Sequence, residues 1–198
     1  MKIKTLNSFI KIVFLFFSLF LILSCDNKTE KRSINGDVNI IVFSSLTCPH
    51  CANFHDKVIV KMKNDDSLKN FAKFEHRGFP LDLAALNAEK ILHCQKNQEN
   101  RFKLLTHLYS EQRNWTSRGN INDINESLIK ISREFGLNKN ATEKCLKSEK
   151  LEEKILEEVI NAQKVFKIKS TPTIFINGEK YEGKHDYRSF KKEIEKLF

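Results

Sequence analysis

Residues 43–51, with the sequence FSSLTCPHC, carry two thiols three residues apart, Cys48 and Cys51, directly after a short apolar run. The run predicts a buried strand at about 38–44, and the residues that follow Cys51 predict a helix. Cys48 then lies at the amino-terminal end of that helix. Pro49 is tolerated in the first turn because the backbone N–H that proline lacks would have no partner within the helix. The free N–H groups and the helix dipole favour a thiolate, which is the nucleophile of disulfide exchange. We therefore expect Cys48 and Cys51 to form a reversible redox pair, with Cys48 as the exposed thiol of low pKa.

The same C-x-x-C spacing also occurs in zinc sites, and by chance within helices. A structural zinc ion needs four ligands, and the chain has no second C-x-x-C that could supply two of them. His55 is the only candidate ligand close by in the sequence. We therefore interpret the two cysteines as redox-active and expect neither a metal nor any other cofactor.

The amino terminus has the pattern of an export signal. Lys2, Lys4 and Lys11 precede an apolar run at 12–23. A run of that length is too short to span a bilayer comfortably and is typical of the core of a signal peptide. We expect a signal peptide at 1–24 and a mature chain that is exported to the periplasm, where disulfides persist.

The stretch 22–25, Ile-Leu-Ser-Cys, resembles the lipobox of bacterial lipoproteins, in which the cysteine becomes lipidated. That family usually has leucine in place of Ile22 and a smaller residue in place of Leu23. The resemblance implies lipidation of Cys25, so that the polar residues 25–36 would tether the protein to the membrane. Soluble secretion after cleavage and an uncleaved anchor are the alternatives.

Four cysteines remain once Cys25 is set aside: Cys48, Cys51, Cys94 and Cys145. In an oxidising compartment this even number suggests one redox pair and one structural disulfide, although four cysteines formally allow three pairings. Cys94 and Cys145 lie outside the redox motif, and each is predicted near the end of a helix. We therefore expect a Cys94–Cys145 disulfide, with two separate buried thiols as the alternative.

The chain is basic overall, with a formal net charge of +9. Removal of Lys2, Lys4 and Lys11 with the signal peptide leaves about +6. The remaining basic residues alternate with acidic ones on predicted helix faces. This pattern favours a solvated surface over a nucleic-acid interface, and we expect no nucleic-acid partner.

Hydrophobic periodicity divides the rest of the chain into three parts. A second strand at about 71–77 follows the first helix, and a right-handed crossover makes the two strands parallel. From 82 to 167 the pattern is helical and has no strand signal. In that block Gly136 is predicted to end one helix, and Asn140 with Glu143 to begin the short helix that carries Cys145.

Strand signal returns at 173–176 and is followed by Asn177-Gly178, a pair that suits a type I′ hairpin turn. The second arm is predicted near 180–182, and Asp186 is predicted to cap a closing helix. The order of elements is therefore βαβ, a helical block, and then ββα.

This order, with the C-x-x-C at the first helix and a proline before the hairpin, resembles the DsbA-like family of exported thiol-disulfide oxidoreductases. The segments that carry the resemblance are FSSLTCPHC (43–51), RGFPL (77–81), AALNAEKILHC (84–94) and STPTIFING (170–178). The resemblance implies an α/β chain with a thioredoxin-like fold interrupted by an all-helical domain. The implied bounds are 37–81 with 168–198 for the thioredoxin-like domain and 82–167 for the inserted domain.

The resemblance also implies roles for individual residues. Within Cys48-Pro49-His50-Cys51, the first cysteine would attack or be attacked, and the second would resolve the mixed disulfide. Independently of the resemblance, His50 between the thiols can lower the pKa of Cys48 by hydrogen bonding or, when protonated, by its charge, and so make the disulfide a stronger oxidant. A solvent-facing His50 with no such effect is the alternative. A cis peptide bond at Thr171-Pro172 would place the backbone of Thr171 opposite Cys48, free to bind an extended substrate.

The function that follows is donation of a disulfide to reduced exported proteins, with a membrane partner that reoxidises the pair. A disulfide isomerase or reductase on the same fold is the first alternative, and a non-catalytic, partner-binding lipoprotein is the second. Isomerases of the dimeric type carry an amino-terminal dimerisation domain. The dozen residues after Cys25 are too few to form one, so we expect a monomer.

Overall fold

The computed structural model describes residues 37–117 and 119–197. The predicted signal peptide, the tether and the lipidation of Cys25 lie outside these residues. The described part folds around a four-stranded sheet with the order β2-β1-β3-β4. The strands are β1 (Val38–Ser44), β2 (Ala72–Gly78), β3 (Thr173–Ile176) and β4 (Glu179–Lys180). Strand β1 is parallel to β2 and antiparallel to β3, which confirms the predicted βαβ unit.

The helices follow the predicted order. A continuous helical segment joins β1 to β2; it consists of α1 (Pro49–Phe54), a π-helical stretch (His55–Val60) and α2 (Lys61–Asn64). The helices after β2 are α3 (Leu83–Cys94), α4 (Gln98–Ser110), α5 (Gln112–Thr116), α6 (Ile121–Glu134), α7 (Lys139–Leu146), α8 (Glu149–Val165) and, after the hairpin, α9 (Tyr187–Glu195). Among the described helices, none is both long and apolar enough to cross a membrane.

Strand β1 is buried on both faces, and its residues alternate between two hydrophobic clusters. Ile40 and Val42 belong to the larger cluster, where the helical segment after β1 and helix α9 cover the sheet with Phe54 and Phe190. Phe43 points to the other face, where the carboxyl-terminal half of α8 packs on the sheet. Burial on both faces explains why β1 is an apolar run rather than an alternating one.

A third cluster lies within the helical block and contains both cysteines of the redox motif. Cys48 and Cys51 are buried there with apolar side chains of α3 and α4 and with Trp115. The indole N–H of Trp115 donates to the carbonyl of Leu108 at 2.8 Å, so the only tryptophan is a satisfied core residue. The helical block therefore supplies one wall of the candidate site.

Local signals set most of the turns. Asn177 and Gly178 have φ values of +50° and +86°, as the type I′ hairpin requires, and Asp186 accepts a hydrogen bond from Ser189 N at the start of α9. Gly136, at φ +88°, ends α6 as predicted. Two boundaries differ from the prediction. The second arm of the hairpin begins at Glu179, because the turn contains only two residues, and Asn138 rather than Asn140 caps α7.

The cap of α7 shows why the prediction was wrong. The side chain of Asn138 accepts a hydrogen bond from Ala141 N at 2.9 Å, three residues further on. Asn140 offers the same chemistry two residues later, and Glu143 three positions beyond it completes a capping-box pattern that favoured the wrong asparagine. Cys145 stays near the end of the helix in either case.

Cys94 and Cys145 form a disulfide in the structure. The sulfur atoms are 2.02 Å apart and the Cα atoms 6.4 Å apart. Cys94 is the last residue of α3, and Cys145 lies one residue before the end of α7. The bond therefore joins two helices of the block.

Acidification is expected to destabilise the fold through His55. This imidazole is 3% exposed, and burial, with a smaller contribution from His76, lowers its pKa to about 3. At mildly acidic pH the unfolded chain binds a proton that the native state does not bind. The free energy of unfolding therefore falls as the pH drops below about 6.5, the ordinary pKa of histidine. We expect a loss of about 2 kcal/mol from this group between about pH 7.5 and 5. Urea unfolding at the two pH values measures this loss of stability. An equal loss in the variant His55→Phe would contradict its assignment to His55.

Candidate active site

Cys48 is the N-cap residue of α1, and its position follows from the sequence around it. Its backbone is extended, with φ −81° and ψ 117°, and its carbonyl accepts hydrogen bonds from Cys51 N and Ala52 N, each at 3.1 Å. Pro49 occupies the first helical position, as predicted. Both thiols are free in the structure. The prediction that Cys48 is exposed is wrong: it is 7% exposed and Cys51 is 2% exposed, because the helical block covers the pair.

The two thiols have pKa values shifted in opposite directions. Burial acts to raise the pKa of Cys48, but the Thr171 side chain, the Cys51 thiol and the N–H groups of Cys51 and His50 together lower it below its ordinary value. Burial dominates at Cys51 and raises its pKa far above the usual range. Cys48 therefore loses its proton more readily than Cys51, and Cys51 remains protonated near neutral pH.

Alkylation of the reduced protein is expected to label Cys48 before Cys51. At about pH 6 a thiol with a lowered pKa carries more thiolate, and thiolate is the reactive species. Treatment with iodoacetamide followed by peptide mapping measures the ratio of the two products. Preferential labelling of Cys51 would contradict the assignment of the nucleophile.

Thr171 and Pro172 lie beside the redox pair and are joined by a cis peptide bond. The sulfur of Cys48 donates a hydrogen bond to the carbonyl oxygen of Thr171 at 3.5 Å. The hydroxyl of Thr171 is buried, and this side chain acts to lower the pKa of both Cys48 and Cys51. Both polar groups of Thr171 therefore lie close to the sulfur atoms, although 120 residues and more separate them in the sequence.

Pro49 and His50 form the exposed part of the motif. The backbone N–H of His50 is one of the groups that lower the pKa of Cys48. The residue as a whole is exposed. The predicted influence of the His50 imidazole on the pKa of Cys48 stays a prediction.

Gln112 is a residue of the site that the sequence analysis missed. It is 6% exposed, and its side-chain Nε2 donates hydrogen bonds to the carbonyl oxygens of Leu46 at 2.8 Å and Cys48 at 3.1 Å. Gln112 begins the short helix α5 and so anchors the loop before α1 to the helical block. Only the proximity of Gln112 to the buried Trp115 could have pointed to it, because a glutamine in a helical block carries no signal of its own.

The residues around the thiols do not form a metal site. Within 37–117 and 119–197, no group of three or more His, Cys, Asp or Glu side chains is placed to hold a metal ion. One ring nitrogen of His55 lies 2.9 Å from the hydroxyl of Thr106, so a hydrogen-bond partner already occupies it. The arrangement instead combines a thiol of lowered pKa, a buried partner thiol of raised pKa and the adjacent side chain of Thr171.

Comparison with known proteins places this site in a family. The sequence profile of the thioredoxin family matches residues 33–196. A Rickettsia bellii protein that carries the name protein-disulfide oxidoreductase is 28% identical over 75% of this chain. This chain spans only 57% of that relative's length and 54% of a Rickettsia typhi one. Disulfide bond formation protein D of Bacillus subtilis is 27% identical over 82% of this chain and 73% of its own length.

Solved structures give the same result for the fold. The crystal structure of Wolbachia pipientis alpha-DsbA1 matches with a TM-score of 0.72 and 26% identity, covering 82% of this chain and 86% of that one. Oxidised BdbD from Bacillus subtilis matches with a TM-score of 0.68 and 21% identity, covering 83% and 89% of the two chains. The thioredoxin-like fold that the sequence predicted is thereby confirmed.

Proposed function

Because the chain belongs to the DsbA-like group of the thioredoxin family, we propose that it transfers the Cys48–Cys51 disulfide to reduced exported proteins. The observation that carries this proposal is the opposite shift of the pKa values of the two thiols. The pKa of Cys48 is lowered and that of Cys51 is raised. A stabilised Cys48 thiolate favours the reduced form of the pair and therefore makes the disulfide a good oxidant.

The reaction takes place in two exchanges at sulfur. A substrate thiolate attacks Cys48 in the oxidised pair, the Cys48–Cys51 bond breaks, and the Cys51 sulfur leaves and takes up a proton. A second substrate thiolate then attacks the substrate sulfur of the mixed disulfide. The substrate disulfide forms and Cys48 leaves as the stable thiolate, because a thiol of low pKa is the better leaving group.

The substrate backbone would bind beside Thr171 and Pro172. The carbonyl of Thr171 lies 3.5 Å from the Cys48 sulfur, so a peptide that reaches that sulfur also reaches this carbonyl. A backbone N–H of an extended substrate could replace the thiol as its hydrogen-bond donor, in the manner of an added β-strand. The exposed Pro49 and His50 would then border the bound peptide.

The remaining parts of the proposal concern location and partners. The pattern at 1–24 supports export, and the lipobox-like Cys25 supports a membrane tether in the periplasm. A membrane partner would accept the electrons and restore the disulfide. A disulfide isomerase or reductase is the second candidate, since both use the same thiols, whereas a non-catalytic lipoprotein would not need the opposed pKa values of the pair.

A soluble form that carries Cys25→Ala tests the oxidase proposal. It should oxidise a reduced peptide with two cysteines faster than it rescues a protein with scrambled disulfides, because the tether takes no part in the chemistry. Its reduction potential, measured against glutathione, should lie above the roughly −180 mV of protein disulfide isomerase. A lower potential together with efficient rescue would favour the isomerase instead.

A further inference from the structure

Cys48 is held from two sides, by a contact of its thiol and by contacts of its backbone. The thiol donates a hydrogen bond to the carbonyl oxygen of Thr171 at 3.5 Å. The carbonyl oxygen of Cys48 accepts hydrogen bonds from N of Cys51, N of Ala52 and Nε2 of Gln112, each at 3.1 Å. The two backbone N–H groups belong to helix α1, as is usual for the carbonyl of an N-cap residue. The amide of Gln112 instead comes from the helical block, 64 positions further along the chain.

Gln112 bonds two carbonyls of the segment that leads into helix α1. A side-chain amide nitrogen carries two hydrogens. Nε2 of Gln112 lies 2.8 Å from the oxygen of Leu46 and 3.1 Å from the oxygen of Cys48, so each hydrogen has its own acceptor. The two carbonyls flank Thr47, and the amide therefore fixes the backbone on both sides of that residue. A rotation of the backbone that moved the Cys48 sulfur would have to strain or break at least one of these bonds.

The start of the same segment is bonded to the loop after β2. Oγ of Ser45 accepts hydrogen bonds from N of Leu81 at 3.3 Å and from N of Thr47 at 3.4 Å. The carbonyl of Ser45 accepts from N of Cys48 at 3.2 Å. These bonds come from the segment itself and from the neighbouring loop, whereas Gln112 belongs to the helical block. The position of Cys48 therefore depends on a contact between two separate parts of the chain.

Packing holds Gln112 in place at the start of helix α5. This helix has five residues, too few to be stable by itself. Trp115 is 1% exposed and anchors the helix in the hydrophobic cluster that also contains Cys48. Oγ1 of Thr116 donates a hydrogen bond to the carbonyl of Gln112 at 2.6 Å. The buried indole and this bond keep the amide of Gln112 aimed at the segment before α1.

The position of the Cys48 sulfur also determines how easily its thiol ionises. Burial acts to raise the pKa of Cys48, but the Thr171 side chain, the Cys51 thiol and the N–H groups of Cys51 and His50 outweigh it. Hydrogen bonds weaken steeply as they lengthen or bend, so these contributions require the sulfur to stay where it is. A displaced sulfur would lose part of them and remain buried. Its pKa would then be higher, and it would be a poorer leaving group.

We propose that Gln112 is a positioning residue of the redox pair, which holds the backbone of Cys48 so that its sulfur stays aimed at Thr171 and at an entering substrate thiol. Gln112 acts through this backbone and takes no part in bond making or breaking. Exchange at sulfur requires the reacting sulfurs to be aligned, so a small displacement of Cys48 slows it. The part of the inference that concerns exchange rests on the proposed function, whereas the part that concerns ionisation of Cys48 does not.

Gln112→Met tests the proposal, because methionine has about the length of glutamine and no hydrogen-bond donor. In the soluble form that carries Cys25→Ala, the ionisation of Cys48 is followed by the ultraviolet absorbance of the thiolate as the pH is lowered. We expect the midpoint of this titration to rise by about half a pH unit or more. Oxidation of a reduced dithiol peptide at about pH 7 should become at least about tenfold slower.

Gln95→Met is the matched control, since Gln95 is a buried glutamine of the same helical block whose side chain is also bonded to backbone groups. Its Nε2 donates to the carbonyl of Phe135 at 2.6 Å, and its Oε1 accepts from N of Asn97 at 3.1 Å. Both variants should lose stability in urea unfolding. Only Gln112→Met should change the midpoint of Cys48 ionisation and the rate of peptide oxidation.

An unchanged midpoint or an unchanged rate in folded Gln112→Met would overturn the proposal, and so would equal changes in Gln95→Met. Gln112 would then have a structural role alone. Gln112→Asn, whose amide is one methylene further from the two carbonyls, replaces Gln112→Met if that variant does not fold. If the wild type does not oxidise the peptide, the proposed redox function fails, and the titration of Cys48 still decides the role of Gln112.

Discussion

Oxidation of a reduced dithiol peptide is expected to fall by at least about a thousandfold when Cys48 is replaced by serine. The physical reason is that, in the proposed reaction, Cys48 is the sulfur at which the substrate enters and from which it leaves. A serine hydroxyl at the end of α1 cannot form the mixed disulfide. Chromatographic separation of reduced and oxidised peptide measures the rate.

Cys51→Ser should lose turnover to the same extent as Cys48→Ser, but it should accumulate a mixed disulfide. This variant keeps the stabilised Cys48 thiolate, so it should attack a disulfide and remain trapped as a mixed disulfide that Cys51 would otherwise resolve. Mass spectrometry of the protein detects the adduct. Turnover close to that of the wild type in either variant would contradict the assigned roles of the two thiols.

The second large effect concerns stability, because Cys94→Ala with Cys145→Ala removes the disulfide that joins α3 to α7. The bond spans a sequence separation of 51 residues. The chain-entropy model then gives a loss of about 4 kcal/mol, since the unfolded chain regains the freedom that the closed loop had removed. Urea unfolding of the wild type and the double variant, both with Cys48 and Cys51 reduced, measures the difference.

This double variant also serves as a control for the redox chemistry. While it remains folded, it should keep the ability to oxidise a peptide, because Cys94 and Cys145 join the ends of α3 and α7 and lie outside the Cys48-Pro49-His50-Cys51 motif. A free energy of unfolding equal to that of the wild type would contradict a stabilising role for the bond. Complete loss of oxidation in a folded variant would show that the second disulfide takes part in the chemistry.

Short-range patterns were sufficient to predict the order of elements and the redox motif, and the resemblance to the DsbA-like family then implied the fold. A short apolar run marked β1, the Asn177-Gly178 pair marked the hairpin turn, and the order of elements placed Cys48 at the start of a helix. Each of these signals depends on residues only a few positions apart, so local geometry determines it. Where two residues close together offered the same chemistry, as Asn138 and Asn140 did at the start of α7, the local capping pattern selected the wrong one.

The electrostatic environment of the thiols depended on contacts that only the tertiary structure creates. Gln112 reaches the carbonyl of Cys48 across 64 positions, and the carbonyl of Thr171 lies against its sulfur across 123. The near-complete burial of Cys48 likewise comes from the helical block that packs over it. Such contacts carry no periodicity along the chain, because folding, not spacing, brings the partners together. The sequence by itself therefore determined which two sulfur atoms form the proposed redox pair, and tertiary packing decided how their pKa values differ and which buried groups surround them.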